Sequence, residues 1–335
     1  MRLLDQFNRG FVQLVRIGNV SNLFQRVSNM NLLSVVQKFA TEDAALDYLV
    51  SARWPKGVRC LACDHDKVYR IATKGKTGKP CRLFECADCG LHFSATTGTL
   101  FHDSHLPLQK WFMAMAIMAE AKKGISALQI SRHIGVQYKT AWHLCHRIRK
   151  AMEEQNMSPL GGQGQIVEID ETRLGGRKLR KGVQAGRDNK ITVLGIAERN
   201  GRVHMQKISN ARAETLRPIL EKKLSPDVKE VVTDAASVYS ILIPKEKHTE
   251  TSHKKDLAEK GELANKTIEG AFSLFKRGLV GSYHKLSEDH LDSYLQEFCW
   301  RFNRRNVQPT IFPTLLRELT TKKPLTYKTL TRETF

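Results

Sequence analysis

The chain has 335 residues, enough for two or three domains, and 41% of them are hydrophobic, enough to form buried cores. Its net charge of +20 and pI near 9.7 indicate a polyanionic partner, although membrane surfaces are anionic as well as DNA. No apolar stretch approaches the roughly 20 residues that a transmembrane helix needs. Seven cysteines, four of them in CxxC pairs, indicate metal binding in a reducing compartment and exclude a disulfide scaffold.

The first 40 residues form a basic leader in which several arginines accompany one acidic residue, Asp5. Apolar residues recur there at helical spacing, which is typical of organellar transit peptides and of membrane-surface helices. We favour the simpler interpretation that the leader is an upstream extension, because Met30 offers a second start before a new apolar run.

Residues 41 to 105 are expected to hold a short helix, capped by Thr41, and a zinc ribbon. Two CxxC knuckles separated by 22 residues are a strong zinc signal, and they consist of Cys60, Cys63, Cys86 and Cys89. Four thiolates leave no open coordination position, so we expect one structural Zn²⁺. Cys81 and His92 are spare ligand candidates that we assign to the ribbon core and the surface.

Residues 106 to 155 are expected to be helical and to include a helix-turn-helix. Residues 122 to 150 carry seven Lys or Arg and no acid, and Gly135 separates a helix capped by Ser126 from a second helix. The alternative is a solvated basic face on a helical linker. Side chains of the second helix that we expect to face DNA are Gln137, Lys139, Thr140, His143 and Arg147. Those that we expect to pack inward are Ala141, Leu144 and Ile148.

Residues 160 to 310 are expected to form an α/β domain after a flexible glycine hinge at residues 161–164. Short apolar runs that read as buried strands end at Asp170 and at Asp234, and a third segment reads as a helix that carries Glu269. The spacing is Asp-x63-Asp-x34-Glu. Lys276 follows Glu269 by seven residues, which places both on one side of the helix, roughly 10 Å apart along its axis.

Three carboxylates brought together need divalent cations to offset their repulsion, and oxygen ligands suit Mg²⁺ or Mn²⁺. Two such ions can activate an attacking oxygen and stabilise a leaving one in phosphoryl transfer. We therefore expect two Mg²⁺ (or Mn²⁺) ions held by Asp170, Asp234 and Glu269, with Lys276 neutralising a phosphate. Taken singly, each acid could equally be an ordinary surface residue.

The segment from residue 173 to 190 holds seven basic side chains and four glycines. We expect it to be a flexible loop that binds DNA phosphates through Arg177 and Lys178. It lacks the strand–GxxxxGK[ST]–helix arrangement of an NTPase P-loop. The Asn200-Gly201 pair beyond it predicts a β-hairpin.

The run from Asn265 to Gly278 and the Gly-Ser-Tyr-His sequence at residues 281–284 closely resemble the ISXO2-like insertion-sequence transposases. So do residues 93–101 and 106–112, and the resemblance covers about residues 45 to 310. It implies a DDE catalytic domain with an RNase H-like fold, preceded by the zinc ribbon and the helix-turn-helix. It also implies metal-dependent DNA cleavage and strand transfer, with Arg277 beside the DNA.

Other acids compete for the metal site. Glu171 follows Asp170 directly, but strand alternation sends it to the opposite face if the strand continues. Asn265 is a rival third ligand, because some relatives use asparagine there. The acids of the preceding loop lack a strand or helix placement and rank lower: Asp256, Glu259 and Glu262.

At the C-terminal end, Ser287 is expected to cap a helix whose apolar face is core. Trp300 and the cluster of Arg301, Arg304 and Arg305 are expected to contact DNA. Cys145 and Cys299 lie on apolar helix faces and are expected in the core. Residues 311–335 read as a basic tail.

The expected function is that of an insertion-sequence transposase that binds double-stranded DNA as a homo-oligomer, in the bacterial cytoplasm with the nucleoid. Two alternatives stay open: a zinc-ribbon DNA-binding regulator with an inactive RNase H-like domain, and a metal-dependent nuclease without strand transfer. The intact acidic triplet argues against the regulator.

Overall fold

A computed structural model describes residues 30–71, 82–154, 157–175, 190–234, 237–251, 266–284, 286–307 and 310–332. The described helices are α1 (Leu32–Lys38), α2 (Glu42–Arg53), α3 (Leu108–Glu120), α4 (Ala127–Ile134), α5 (Tyr138–Met152), α6 (Ala213–Lys223), α7 (Ser237–Leu242), α8 (Lys266–Gly278), α9 (Leu291–Asn303), α10 (Ile311–Thr321) and α11 (Tyr327–Arg332). The described strands are β1 (Val68–Arg70), β2 (Phe84–Cys86), β3 (His92–Phe93), β4 (Ile166–Leu174), β5 (Ile191–Glu198), β6 (Val203–Ile208), β7 (Glu230–Asp234) and β8 (His248–Thr251).

A mixed five-stranded sheet forms the centre of the C-terminal part, with strand order β6-β5-β4-β7-β8. Strands β4, β5 and β6 are antiparallel, whereas β7 and β8 run parallel to β4. Helices α8 and α9 cover one face of the sheet, and α6 and α7 cover the other. The arrangement confirms the predicted α/β domain of the RNase H-like class, with a mixed sheet flanked by helices.

Strand β4 places alternate residues on the two faces. Val167 and Ile169 pack with α6 and α7, whereas Leu174 packs with α8 and α9. The strand is longer than the apolar run predicts, because β5 continues to pair with it as far as Leu174. Asp170 therefore lies inside the strand and not at its end, which corrects the sequence expectation.

Helices α1 to α5 and α10 form a separate helical core. The predicted helix-turn-helix is present as α4 and α5, with Ser126 accepting the Gln129 N–H and Gly135 in the left-handed conformation at φ 61°. The three residues predicted to face inward from α5, Ala141, Leu144 and Ile148, are buried. Within the described ranges, no helix has both the length and the apolar character needed to cross a membrane.

Residues 30–39 and 311–321, which were predicted as parts of a basic leader and a basic tail, contribute to this core. Met30, Val35 and Phe39 are buried in it, as is the face of α10 that carries Leu315 and Leu319. Residues 1–29 lie outside the described part of the chain. The basic composition of the last 25 residues hid the apolar 3–4 spacing of α10.

Two smaller expectations need correction. The predicted glycine hinge is packed at its first residue: Gly161 is buried and a Cβ there would lie 2.6 Å from Val167 Cγ2, whereas residues 162–164 are exposed. Ser287 does not cap a helix, since α9 begins at Leu291 with His290 before it and no side-chain cap.

Strands β1, β2 and β3 form a small antiparallel sheet over a cluster of Cys60, Phe84, Cys86 and Phe93. Trp54, directly after α2, packs edge-on against both phenylalanine rings. Helix α2, capped by Thr41 as predicted, thus attaches this sheet to the helical core.

Candidate active site and nucleic-acid interface

The two aspartates lie side by side where the parallel strands part. The last paired residues of β4 and β7 are Ile169 and Thr233, and the next residues along the two strands are Asp170 and Asp234. Residues at matching positions of neighbouring strands share a face. Both carboxylates therefore belong to the face that α8 covers.

Glu269 enters from that helix, in its first turn. It is exposed, as is Lys276 nearly two turns later. Together with Asp170 they line an open cleft of about 640 Å³. The other lining residues are Lys123, Thr172, Phe272, Ser273, Arg277, Val280 and Gly281.

The surroundings of Asp170 disfavour the ionised form of its carboxyl group. The pKa of its carboxyl is raised to about 6, mainly by burial and in addition by the charges of Asp234, Glu171 and Glu269, against the hydrogen bond from the Glu171 N–H, which lowers it. These carboxylates therefore lie within electrostatic reach of Asp170. A perturbed carboxyl in a cleft is typical of a functional site.

Glu171 is not part of this group. Strand β4 continues beyond it, and its side chain lies on the opposite face, where it accepts a hydrogen bond from the Tyr239 hydroxyl. Burial is the main cause that raises the pKa of this carboxyl. The alternation argument made from the sequence thus agrees with the structure.

Close approach of α8 to the sheet depends on a glycine. Gly195 in β5 is the direct cross-strand partner of Asp170. A Cβ at Gly195 would lie 2.5 Å from both Ile268 Cδ1 and the Phe272 ring. Only a residue without a side chain lets α8 rest on the strand beside Asp170.

The donor set fits divalent cations that prefer oxygen ligands, because it consists of carboxylates beside a hydroxyl-bearing residue, Thr172. In the described part of the chain, only the four cysteines form a group of three or more potential ligands whose donor atoms all lie within 4.8 Å of one another. The three carboxylates are therefore more widely spaced.

The four cysteines have the geometry of a zinc site. The Sγ atoms of Cys60 and Cys89 are 3.5 Å apart, and Cys63 lies 3.6 Å from both Cys86 and Cys89. A tetrahedron with Zn–S bonds of about 2.3 Å has sulfur–sulfur edges of about 3.8 Å. Hydrogen bonds, the largest of them from the Cys63 N–H, lower the pKa of the Cys60 thiol to about 6. Burial and the neighbouring thiols instead raise the pKa of Cys63, against the hydrogen bond from the His65 N–H. His92 is exposed beside Glu85, as predicted, and Cys81 lies outside the described residues.

Helix α5 presents only its N-terminal end to solvent. Gln137, Lys139 and Thr140 are exposed, as the prediction of a DNA-facing surface requires. Arg147 is buried and donates to the carbonyl oxygens of Leu325 and His102, so its predicted contact with DNA is wrong.

His143 is half-buried in the same region, with its Nε2 3.2 Å from the Leu325 oxygen and its ring against Tyr327. The C-terminal segment therefore covers the middle of α5. A contact across 182 positions has no local signature in the sequence.

The arginine cluster of α9 is structural as well. Trp300 is buried, and Arg304 lies over its ring while pairing with Glu154 at 2.6 Å. Arg301 pairs with the buried Glu297, and Arg305 donates to the Asn200 and Gly201 carbonyls. These contacts correct the expectation that the cluster faces DNA.

Some candidates lie outside the described residues: Arg177, Lys178, Asn265, Asp256, Glu259 and Glu262. Arg277 is exposed in the cleft. Two residues were missed. Lys123 reaches the cleft from the turn before α4, which only the tertiary structure reveals. Glu168 shares the face of Asp170, which strand alternation could have shown.

Comparison with known proteins bears on the same residues. The model of the ISXO2-like transposase domain matches residues 159–303, which include the three acids and Lys276. The model of the transposase zinc-ribbon domain matches residues 40–92, which include the four cysteines.

Two curated proteins are similar to the chain. An uncharacterized protein in transposable element ISH50 of Halobacterium salinarum is 27% identical over 283 residues, covering 78% of this chain and 91% of that protein. An uncharacterized transposase-like protein of Haemophilus influenzae is 29% identical over 119 residues, covering 35% of this chain and 93% of that protein.

Proposed function

We propose, from the premise that this chain belongs to the ISXO2-like transposase family and carries its zinc ribbon, that it cuts and rejoins DNA at the ends of an insertion sequence. The reaction begins with hydrolysis of a phosphodiester at the element end. The freed 3′-hydroxyl then attacks a phosphodiester of the target DNA. The substrate is double-stranded DNA in both steps.

The observation that carries this proposal is the placement of Asp170 and Asp234 on adjacent parallel strands, one position beyond their last pair, under the helix that bears Glu269. Asp170 and Glu269 line one cleft together with two basic side chains, Lys276 and Arg277. Acids and bases that line the same open cleft suit a phosphodiester, whose negative oxygens need cations on several sides.

Two Mg²⁺ or Mn²⁺ ions, when bound, supply the Lewis acidity that activates the attacking oxygen and stabilises the leaving oxygen. Asp170, Asp234 and Glu269 would hold these ions, because Asp170 and Asp234 lie on neighbouring strands under the helix that carries Glu269.

The remaining chemistry belongs to residues that hold the DNA. Lys276 and Arg277 offer positive charge to phosphate oxygens next to the scissile bond, and Lys123, whose backbone packs against Gly278 of the same helix, adds a third positive charge to the cleft. In the first step, water forms a bond to phosphorus, the bond to the 3′-oxygen breaks, and that oxygen takes up a proton. In the second, the 3′-oxygen bonds to the target phosphorus and the target's own 3′-oxygen leaves. No protein nucleophile is required.

Recognition of the element end is assigned to the exposed N-terminal end of α5, where a helix-turn-helix contacts bases. Lys139 and Thr140 point outward there. The structural Zn²⁺ of the ribbon keeps that small domain folded next to the helical core. Pairing of two element ends implies a homo-oligomer on DNA, which sedimentation of the protein with end DNA would detect.

The test is cleavage of a DNA duplex that carries the element's terminal inverted repeat. Asp170→Asn should abolish cleavage in Mg²⁺ while leaving binding of the duplex intact, because the amide is a poor bridging ligand. Glu171→Gln is the matched control, since the neighbouring carboxylate lies on the other face and should be dispensable for chemistry.

Retained cleavage by Asp170→Asn would reject the proposed site. Pre-cleaved ends isolate the second step: joining to a target plasmid supports transposition, whereas cleavage without joining would leave a nuclease. Binding with no cleavage by the wild type in Mg²⁺ or Mn²⁺ would leave a DNA-binding regulator.

A further inference from the structure

A buried carboxylate joins the strand of Asp170 to the helix of Glu269. Glu168 in β4 is completely buried, and its Oε2 accepts hydrogen bonds from the backbone N–H groups of Thr267 at 2.7 Å and Ile268 at 3.0 Å. Its Oε1 accepts from Arg199 Nε at 3.0 Å. The two backbone donors belong to the first turn of α8, directly before Glu269.

We propose that Glu168 is a positioning residue that sets the separation between the Asp170 and Glu269 carboxylates and thereby the affinity of the site for divalent cations. This inference rests on the proposed function. Glu168 precedes Asp170 by two residues on the same strand, so both side chains point to α8 and lie about 7 Å apart along the strand. One rigid link therefore connects the strand that carries the first ligand to the helix that carries the third.

The chemistry of the link requires a carboxylate. The first N–H groups of a helix have no partner within it, and a negative charge is favourable there. Both oxygens of Glu168 are occupied by donors, so an amide in its place would turn an NH₂ group towards an N–H. Separating the buried Glu168 carboxylate from its donors would cost free energy, so the strand and the helix stay in one relative position.

A second contact prevents the helix from pivoting about this link. Gly195, opposite Asp170, lets Ile268 and Phe272 of α8 rest directly on β5. The helix is thus fixed at its N-terminus by hydrogen bonds and along its first two turns by packing. Glu269 cannot move away from Asp170 without breaking buried hydrogen bonds.

The same sheet offers a matched control in Glu198. It is also buried, it pairs with an arginine, Arg202, at 2.6 Å, and it accepts a backbone N–H, that of Gly161, at 3.1 Å. Its partners lie in the β5–β6 turn and in the segment before β4, and none belongs to α8. Loss of Glu198 should therefore lower stability without moving a metal ligand.

The experiment compares wild type, Glu168→Gln and Glu198→Gln in the full chain. Mn²⁺ binding is measured by isothermal titration calorimetry, the folded fraction by circular dichroism, and cleavage of end DNA as a function of Mg²⁺ concentration. Glu168→Gln should weaken Mn²⁺ binding by at least about tenfold and raise the Mg²⁺ requirement in proportion, the usual effect of losing a residue that orients metal ligands. Glu198→Gln should bind Mn²⁺ as the wild type does.

Glu168→Asp covers the case in which the amide variant does not fold. It keeps the charge, but its carboxylate ends about 1.5 Å short of the helix, the length of one C–C bond, and it should weaken Mn²⁺ binding similarly. Wild-type Mn²⁺ affinity in a folded Glu168 variant would overturn the proposal, as would equal losses in the Glu168 and Glu198 variants. Asp170→Asn in parallel separates the two hypotheses: if it cleaves DNA, the proposed active site itself fails.

Discussion

The guanidinium of Arg149 in α5 donates to the carboxylate of Glu297 in α9 at 2.7 Å, and neither side chain is exposed. The same carboxylate accepts the Tyr283 hydroxyl and pairs with Arg301. Arg149 also lies over the Tyr294 ring, 3.9 Å from its centroid. Helix α5 is the proposed DNA-reading helix, and α9 belongs to the proposed catalytic domain. The buried Glu297 carboxylate therefore holds α5 and α9 in a fixed position relative to each other.

Removing that carboxylate should be expensive. Glu297→Gln leaves two buried guanidinium groups without a counter-charge, and breaking a buried pair typically costs about 3–5 kcal/mol. Urea denaturation followed by tryptophan fluorescence would measure the loss. The control is Glu288→Gln, whose carboxylate is 3.5 Å from Lys207 at an exposed position and should change stability by less than about 1 kcal/mol. Equal effects of the two variants would contradict a structural role for the buried pair.

Asp170 should destabilise the protein when divalent cations are chelated. Its pKa in the folded chain is raised to about 6 from 3.8, so between about pH 4 and pH 6 the folded state binds more protons than the unfolded state. Stability must therefore fall as the pH rises through that window.

Asp170→Asn removes this penalty. In EDTA at pH 7 it should unfold later than the wild type, by about 1–2 kcal/mol after allowance for partial exposure of the group. The difference should vanish below about pH 4. Mg²⁺ should raise the melting temperature of the wild type and not of the variant; a variant that is stabilised equally by Mg²⁺ would show that the ion binds elsewhere.

Replacing Gly195 by alanine should lower both the stability of the protein and its affinity for divalent cations. Gly195→Ala would press against the Phe272 ring and push α8 away from Asp170, with a cost of about 1–3 kcal/mol. Thermal melts with and without Mn²⁺ would measure both effects. Gly270→Ala is the comparison within α8 itself, because nothing lies within 4 Å of a Cβ there. It should stabilise the helix by up to about 1 kcal/mol. A harmless Gly195→Ala would mean that α8 is not held at this distance.

Alanine variants of Lys139 and Arg147 should differ in how the salt concentration affects their binding to DNA. Lys139 is exposed, so Lys139→Ala should weaken binding and reduce the slope of log K against log salt by about 1, the loss of one phosphate contact. Arg147→Ala should leave that slope unchanged and lower the melting temperature instead, because its guanidinium binds backbone carbonyls. A reduced salt slope for Arg147→Ala would restore the original prediction from the sequence.

Zinc removal should affect the ribbon and spare the sheet. Four side chains form the buried cluster of the ribbon, a core too small to remain folded without the metal. Elemental analysis should find one Zn²⁺ per chain in the wild type, and Cys89→Ser should lose it. Limited proteolysis of the variant should then cut within residues 57–71 and 82–93, while strands β4 to β7 and helix α9 stay as resistant as in the wild type. Zinc retained at full occupancy by the serine variant would contradict a site made of four cysteines.

The sequence revealed those parts of the molecule that have a local signature. Asp170 and Asp234 each come at the end of a short run rich in β-branched residues. The helix of Glu269 is recognisable from apolar residues that recur at spacings of four and three. Gly135 marks a turn because its backbone conformation is one that glycine adopts readily. Even the orientation of Glu171 followed from strand alternation.

Long-range pairing was beyond such reasoning. Arg147 and Arg301 are basic residues on helices, and composition alone suggests DNA for both. Their acceptors, the Leu325 and Ala121 carbonyls, are 178 and 180 positions away in the chain. The buried partners of Arg149 and Glu168 could not be predicted for the same reason, because a charged residue whose partner is distant in the sequence is expected on the surface.

The last described residues lead to a genetic expectation. The Lys322 ammonium donates to the carbonyls of Lys150 and Ala151 at the end of α5. The Leu325 carbonyl accepts a hydrogen bond from Arg147, one turn earlier in that helix. A stop codon or frameshift after codon 310 would therefore remove the support of the proposed DNA-reading helix together with α10. Copies of the element that differ only in this late stretch should differ in mobility, even though every catalytic residue is intact.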